Sequence, residues 1–97
     1  MVARYKIKIQ GIVQGVGFRP FVFRLAEERG IKGWINNTPE GIEMEAEAEK
    51  EALDEFLKDL PRLAPSVAYI DRILILDGVS PQGYKDFSIL QSSMKTL

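Results

Sequence analysis

Tyr5, Ile7 and Ile9 alternate with Lys6, Lys8 and Gln10, a period of two that marks a half-buried strand. The alternation stops at Gly11. Gly11, Gly15 and Gly17 fall within seven residues, which implies a loop with unusual backbone angles or a close approach to another group. Pro20 suits the start of a helix. Phe21, Leu25 and Ala26 then form an apolar stripe over Pro20 to Arg29, and Gly30 marks the stop. Val22 and Phe23 widen the stripe, and the pattern does not say which of them faces the core. Ile31 to Ile35 reads as a second strand with Gly33 inside it. Asn36 to Gly41 is dense in turn formers and predicts a hairpin connection. Ile42, Met44, Ala46 and Ala48 alternate with Glu43, Glu45, Glu47 and Glu49, giving a third strand with a small apolar face and an acidic one. From Lys50 the period changes: Leu53, Phe56, Leu57 and Leu60 fall at helical spacing, and Pro61 and Pro65 end the helix. Val67 to Leu76 reads as a fourth strand, Asp77 to Gly83 as a loop and Tyr84 to Leu90 as a short final strand. Residues 91–97 are polar and without period, a tail or the start of a linker.

Strand, helix, strand, strand, helix, strand and one short final strand is an α+β order. It describes a ferredoxin-like two-layer α/β sandwich, with a mostly antiparallel sheet and two helices on one face. One domain covers residues 1–90. Many functions share this order, so the fold does not select one.

Composition narrows the chemistry. The 97 residues hold 13 Lys and Arg against 14 Asp and Glu, a net charge of -1. A nucleic-acid footprint needs a strongly basic face, so no nucleic-acid partner is expected. With no cysteine and no histidine, disulfides, thiol nucleophiles, imidazole bases and Cys- or His-ligated metals are excluded from these residues. No metal and no cofactor is expected. Chemistry here runs on Arg, Lys, Asn, carboxylates, hydroxyls and backbone amides. No apolar run approaches a membrane span, and residues 1–10 alternate instead of forming a signal core, so the expected location is the cytoplasm.

The glycine-rich loop lies between a strand end and a helix start. Amide N–H groups of Gly15, Val16, Gly17, Phe18 and Arg19 would be unpaired there, and the helix dipole would add positive charge. Glycine at 15 and 17 allows the backbone to approach a tetrahedral anion without a Cβ clash. Arg19, before a proline, is expected as the last loop residue, its guanidinium a fork of donors suited to phosphate. The spacing matches neither the Walker pattern nor the dinucleotide fingerprint. From the residues alone, a plain crossover with a solvated arginine reads equally well. Asn36-Asn37-Thr38-Pro39 would likewise make a good turn without any chemistry. Trp34 reads as a packing residue. Glu43, Glu45, Glu47 and Glu49 read as a solvated sheet face that discourages edge pairing.

Gly11-Ile12-Val13-Gln14-Gly15-Val16-Gly17-Phe18-Arg19, followed by Gly33-Trp34-Ile35-Asn36-Asn37-Thr38 and Gly41, resembles the two-part signature of the acylphosphatases, across Tyr5 to Leu90. The resemblance implies metal-free hydrolysis of a small-molecule acyl phosphate. It makes Arg19 the phosphate-binding arginine and Asn37 the residue that positions the attacking water. Pro20-Phe21-Val22 after the arginine, and Asp86-Phe87-Ser88-Ile89-Leu90 near the end, are more similar to the N-terminal domain of the hydrogenase maturation carbamoyltransferases (the HypF family). That implies carbamoyl phosphate as substrate and C-terminal domains as partners if the chain is a fragment; a complete small enzyme is the alternative.

Two other classes compete. RNA-binding sandwiches stack bases on aromatics of the central strands, where this chain has lysines and glutamates. A domain that binds phosphate or carbamoyl phosphate without hydrolysing it would use the same loop.

Overall fold

The computed structural model describes residues 1–90, and the expected tail at 91–97 lies outside the described residues. Along the chain run β1 (Val2–Ile12), α1 (Phe18–Arg29), β2 (Lys32–Thr38), β3 (Gly41–Glu49), α2 (Lys50–Leu63), β4 (Tyr69–Val79) and β5 (Phe87–Ile89). The strands form one five-stranded sheet in the order β4-β1-β3-β2-β5. Neighbours are antiparallel except β5, which runs parallel to β2. This is the ferredoxin-like sandwich expected from the element order.

Period-two patterning decides the faces. Tyr5, Ile7 and Ile9 lie opposite Ala46, Met44 and Ile42, and Ile35 lies opposite Met44 on the other side. All seven are at most 4% exposed. Val22, Leu25 and Ala26 of α1 and Leu53, Phe56 and Leu60 of α2 pack on them. Each large apolar side chain buried this way is worth about 1.5–3 kcal/mol. Val22 points inward, while half-buried Phe23 meets Phe87 with ring centroids 6.5 Å apart. Asp59, buried on α2, binds Arg62 at 2.8 Å and Arg29 of α1 at 2.7 Å, which ties the two helices together.

Several boundaries differ from expectation. The second strand continues through Asn36, Asn37 and Thr38, leaving a two-residue turn at Pro39 and Glu40. Pairing with Glu43, Ile42 and Gly41 satisfies the backbone of these residues and outweighs their turn propensity. Arg19 is not the last loop residue: α1 begins at Phe18, so Arg19 stands in its first turn. The burial of Phe18 and Phe21, with ring centroids 5.7 Å apart, draws the helix start into the core. Pro20 fits behind it because the first amides of a helix need no intrahelical partner. The second helix passes Pro61 and ends at Leu63. Leu60 buried on one side of Pro61 and the Arg62–Asp59 pair on the other hold that turn in place. The fourth strand is shifted to Tyr69–Val79, and the last is shortened to Phe87–Ile89.

The glutamate stripe is also corrected. β3 is a central strand, so its acidic face guards no edge. Glu47 is only 5% exposed and accepts from the amides of Gln82, Gly83 and Tyr84 at 3.2, 2.9 and 3.4 Å. Glu45 accepts from Arg4 Nη1 at 2.6 Å and from the Tyr84 hydroxyl. Those amide bonds hold residues 82–84 as a loop, which is why the final strand starts late.

Candidate functional site

β1 and β2 both run antiparallel to the β3 strand between them, so they are parallel to each other. Their C-terminal ends therefore reach the same end of the sheet, about 10 Å apart by ordinary strand spacing. The glycine loop leaves β1 at that end, α1 starts from it, and β2 ends there at Asn37 and Thr38.

Val13, buried in the core, anchors the start of the loop. Gly15 and Gly17 take φ of 75° and 79°, left-handed angles that disfavour a side chain, and a Cβ at either would meet nothing within 4 Å. The loop thus opens outward. Gly17 caps α1 without a side-chain hydrogen bond, and no acidic residue stands in the first turn. The first helical bond runs from the Phe21 amide to the Gly17 carbonyl at 3.2 Å. Among the described residues, no hydrogen bond uses the amides of Gly15, Val16, Gly17, Phe18 or Arg19. Such amides at a helix N-terminus attract an anion, and the helix dipole adds to the attraction.

Arg19 is half-buried beside these amides. Arg4, Arg29 and Arg62 each bridge a carboxylate, whereas Arg19 forms no salt bridge among the described residues. Arg24 and Arg72 are also unpaired there, but they are exposed.

Asn37 lies opposite Ile42 and shares the helix-covered face with Ile35. Its Oδ1 is buried and has no hydrogen-bond partner among the described residues. Asn36 has an equally unpartnered Oδ1, yet alternation puts it on the opposite face with Glu43. The register separates two asparagines that the residues alone did not. A buried carbonyl oxygen without a partner is an acceptor waiting for a donor.

The structure therefore brings the loop, Arg19 and Asn37 to one end of the sheet. Sequence reasoning missed Gln14, whose side chain links the loop to the β2–β3 hairpin. The available signal was that Gln14 is the only polar side chain between Gly11 and Phe18. Sequence reasoning also missed the network of Arg4, Glu45 and Tyr84 on the open face. There burial opposes ionisation of Glu45, but donation from Tyr84 and Arg4 outweighs it and holds the carboxyl below its ordinary range. Burial and the neighbouring Glu45 push the Tyr84 phenol up. Trp34 donates from Nε1 to the Tyr84 hydroxyl at 3.2 Å, so it belongs to this network as well as to the packing. A groove of about 540 Å³ on that face is lined by residues such as Lys6, Lys8, Trp34 and Leu74. It contains none of residues 15–19 and lies away from the glycine loop. No helix among the described residues is long and apolar enough to cross a membrane.

Comparison with known proteins places these features in a family context. The Acylphosphatase family profile matches residues 5–89. Carbamoyltransferase HypF2 of Cupriavidus necator is 43% identical over 90 residues, which are 93% of this chain and 11% of that protein. The crystal structure of full-length HypF in its phosphate- and nucleotide-bound form superposes with a TM-score of 0.89 at 37% identity, over 96% of this chain and 12% of that one. The acylphosphatase from Bacillus subtilis superposes with a TM-score of 0.85 at 34% identity, over 93% of this chain and 99% of that one. The chain thus spans about an eighth of the carbamoyltransferases it matches, and nearly the whole of a free-standing acylphosphatase.

Proposed function

The chain belongs to the acylphosphatase family, and from that premise we propose that it hydrolyses carbamoyl phosphate to carbamate and phosphate. In this reading it works in the cytoplasm as the N-terminal domain of a carbamoyltransferase for [NiFe]-hydrogenase maturation, with the C-terminal domains as partners. The carrying observation is the set of unpaired amides from Gly15 to Arg19 at the start of α1, at the end of the sheet that also holds Asn37.

The phosphoryl oxygens lie on those amides, and Arg19 adds a cationic fork. Phosphoryl transfer asks mainly for positioning and charge stabilisation, so a fixed set of donors suffices. A single donor aimed at the developing charge is worth about 3 kcal/mol. Asn37 Oδ1 accepts from a water and sets its line of attack on phosphorus. The water oxygen forms the new P–O bond, and the bond between phosphorus and the acyl oxygen breaks. The acyl group leaves as a carboxylate (as carbamate from carbamoyl phosphate). Neutral asparagine is no base, so the water proton passes to a phosphoryl oxygen of the substrate itself.

A second reading, a general acylphosphatase acting by itself, is favoured by the match over 99% of the Bacillus subtilis enzyme. A third, binding and delivery without turnover, is favoured by the small share of the carbamoyltransferases that the chain spans. Phosphate release from carbamoyl phosphate and from an aromatic acyl phosphate, on this chain and on Arg19→Ala, separates the three. Turnover that prefers carbamoyl phosphate and disappears in the variant supports the first reading. Equal turnover of both substrates supports the second. Phosphate binding without turnover supports the third. Full activity in Arg19→Ala would remove the site from all of them.

A further inference from the structure

Gln14 sits between the two halves of the site and has no role in the reading above. Its Nε2 donates to the Thr38 carbonyl at 2.6 Å and to the Gly41 carbonyl at 2.8 Å. Two carbonyl acceptors can only face the NH2 end of an amide, which fixes the orientation of the side chain. Thr38 and Gly41 flank the turn between β2 and β3, and the Thr38 hydroxyl closes the same turn by donating to the Gly41 carbonyl at 3.3 Å. Gln14 immediately precedes Gly15 of the anion loop, and Thr38 immediately follows Asn37. One side chain therefore spans from the residue beside the phosphate cradle to the residue beside the water-holding asparagine.

Nothing else among the described residues ties the two directly. β1 and β2 are separated by β3, and no loop amide from Gly15 to Gly17 bonds to the hairpin. Buried Val13 and Phe18 anchor the ends of the loop and half-buried Val16 packs on the core, while Gly15 and Gly17 offer no side chain that could hold the loop to the hairpin. Gln14 is exposed, so it contributes little to the core.

We propose that Gln14 is a positioning residue: it fixes the distance between the anion loop and Asn37, and so aligns the phosphoryl group with the attacking water. This rests on the loop and Asn37 having the roles assigned above. A misplacement of about 1 Å at a reacting centre costs on the order of 10²-fold in rate.

The test uses Gln14→Leu, which removes the donor, and Gln14→Glu, which keeps the shape and sets a carboxylate against two carbonyls. Turnover of an aromatic acyl phosphate, inhibition by inorganic phosphate and thermal midpoint are measured for each, alone and combined with Asn37→Ala. The expected result is a fall in kcat of about 10- to 10²-fold in both variants, with phosphate inhibition changed less than about threefold. In the Asn37→Ala background the same variants should cost less than about threefold, because there is no held water left to misalign. Unchanged kcat, a loss confined to phosphate affinity, or a full multiplicative loss on top of Asn37→Ala would each overturn the proposal. An active Arg19→Ala enzyme would instead break the site reading beneath it; an inactive Arg19→Ala enzyme with normal Gln14 variants breaks only the positioning role.

Discussion

The second half of β3 and the region around its first residue, Gly41, hold polar groups under opposite conditions. Glu45 and Glu47 each have several donors. Arg4 donates to Glu45 and, through Nε, to the Ser80 carbonyl at 2.6 Å, and three loop amides converge on Glu47. Near Gly41, five amides, the Arg19 guanidinium and Asn37 Oδ1 lack partners among the described residues. A folded chain normally pairs its buried polar groups, because an unpaired one costs about 1–3 kcal/mol. Asn37 Oδ1 is such a buried group, the amides of Gly15 and Gly17 open to solvent beside it, and on the reading proposed above these are the partners of a ligand. On that proposed reading the paired region serves stability and the unpaired one, on the helix-covered face, serves chemistry.

A double dissociation tests this division with the largest expected effect. Arg19→Ala should lower kcat/KM by on the order of 10³-fold, since on the proposed reading it removes a cationic donor to the transferring group, and leave the thermal midpoint nearly unchanged. Arg4→Ala should do the reverse, losing about 2 kcal/mol of stability in urea unfolding while each folded molecule keeps its turnover. An Arg4→Ala enzyme that is stable and inactive would break the comparison.

The asparagines sharpen it next. Asn37→Ala should reduce kcat by about 10²-fold, whereas Asn36→Ala, on the other face, should stay within about threefold. Steady-state assays on both variants decide the point, and equal losses would mean that the face of the sheet is not what matters.

Glu47→Ala comes third. It leaves the amides of residues 82–84 without their acceptor and should cost about 1–3 kcal/mol of stability, with kcat retained. A drop in kcat at full stability would show that the two regions are coupled.

The smallest effect is a pH dependence. The folded carboxyl of Glu45 titrates below its ordinary value of 4.5, so between the two values the unfolded chain binds the extra proton. Its contribution to stability is complete above the ordinary value and fades as the pH falls through the folded one. Asp59, also held low, by Arg62 and Arg29, acts in the same direction. Unfolding midpoints followed from neutral to acid pH should fall less steeply in Glu45→Gln than in the parent. Arg19→Ala, in the other region, should keep the parental slope.

Much of this was legible in the residues. Alternation in Tyr5-Ile7-Ile9 and Ile42-Met44-Ala46 predicted two strands and their buried faces, because a period of two leaves one face per strand. The helical spacing of Leu53, Phe56 and Leu60 predicted α2. The two-part signature resembled the right family. What misled was local propensity. Asn36 to Gly41 reads as a turn until β3 supplies partners for its backbone. Arg19-Pro20 reads as a helix boundary until Phe18 is drawn into the core. Glu45 and Glu47 read as solvated until Arg4 and the 82–84 loop close on them.

The sequence by itself determined the elements, the apolar face of each and the family, since these rest on patterns between near neighbours. Only the tertiary structure decided which asparagine shares a face with the helices, which glutamates are buried and how Gln14 joins the loop to the hairpin. Those depend on strand order and register, which bring together residues 24 to 41 positions apart such as Gln14 with Thr38 and Arg4 with Glu45. No local pattern carries that information, because the energy that selects it comes from contacts that exist only once the sheet has closed.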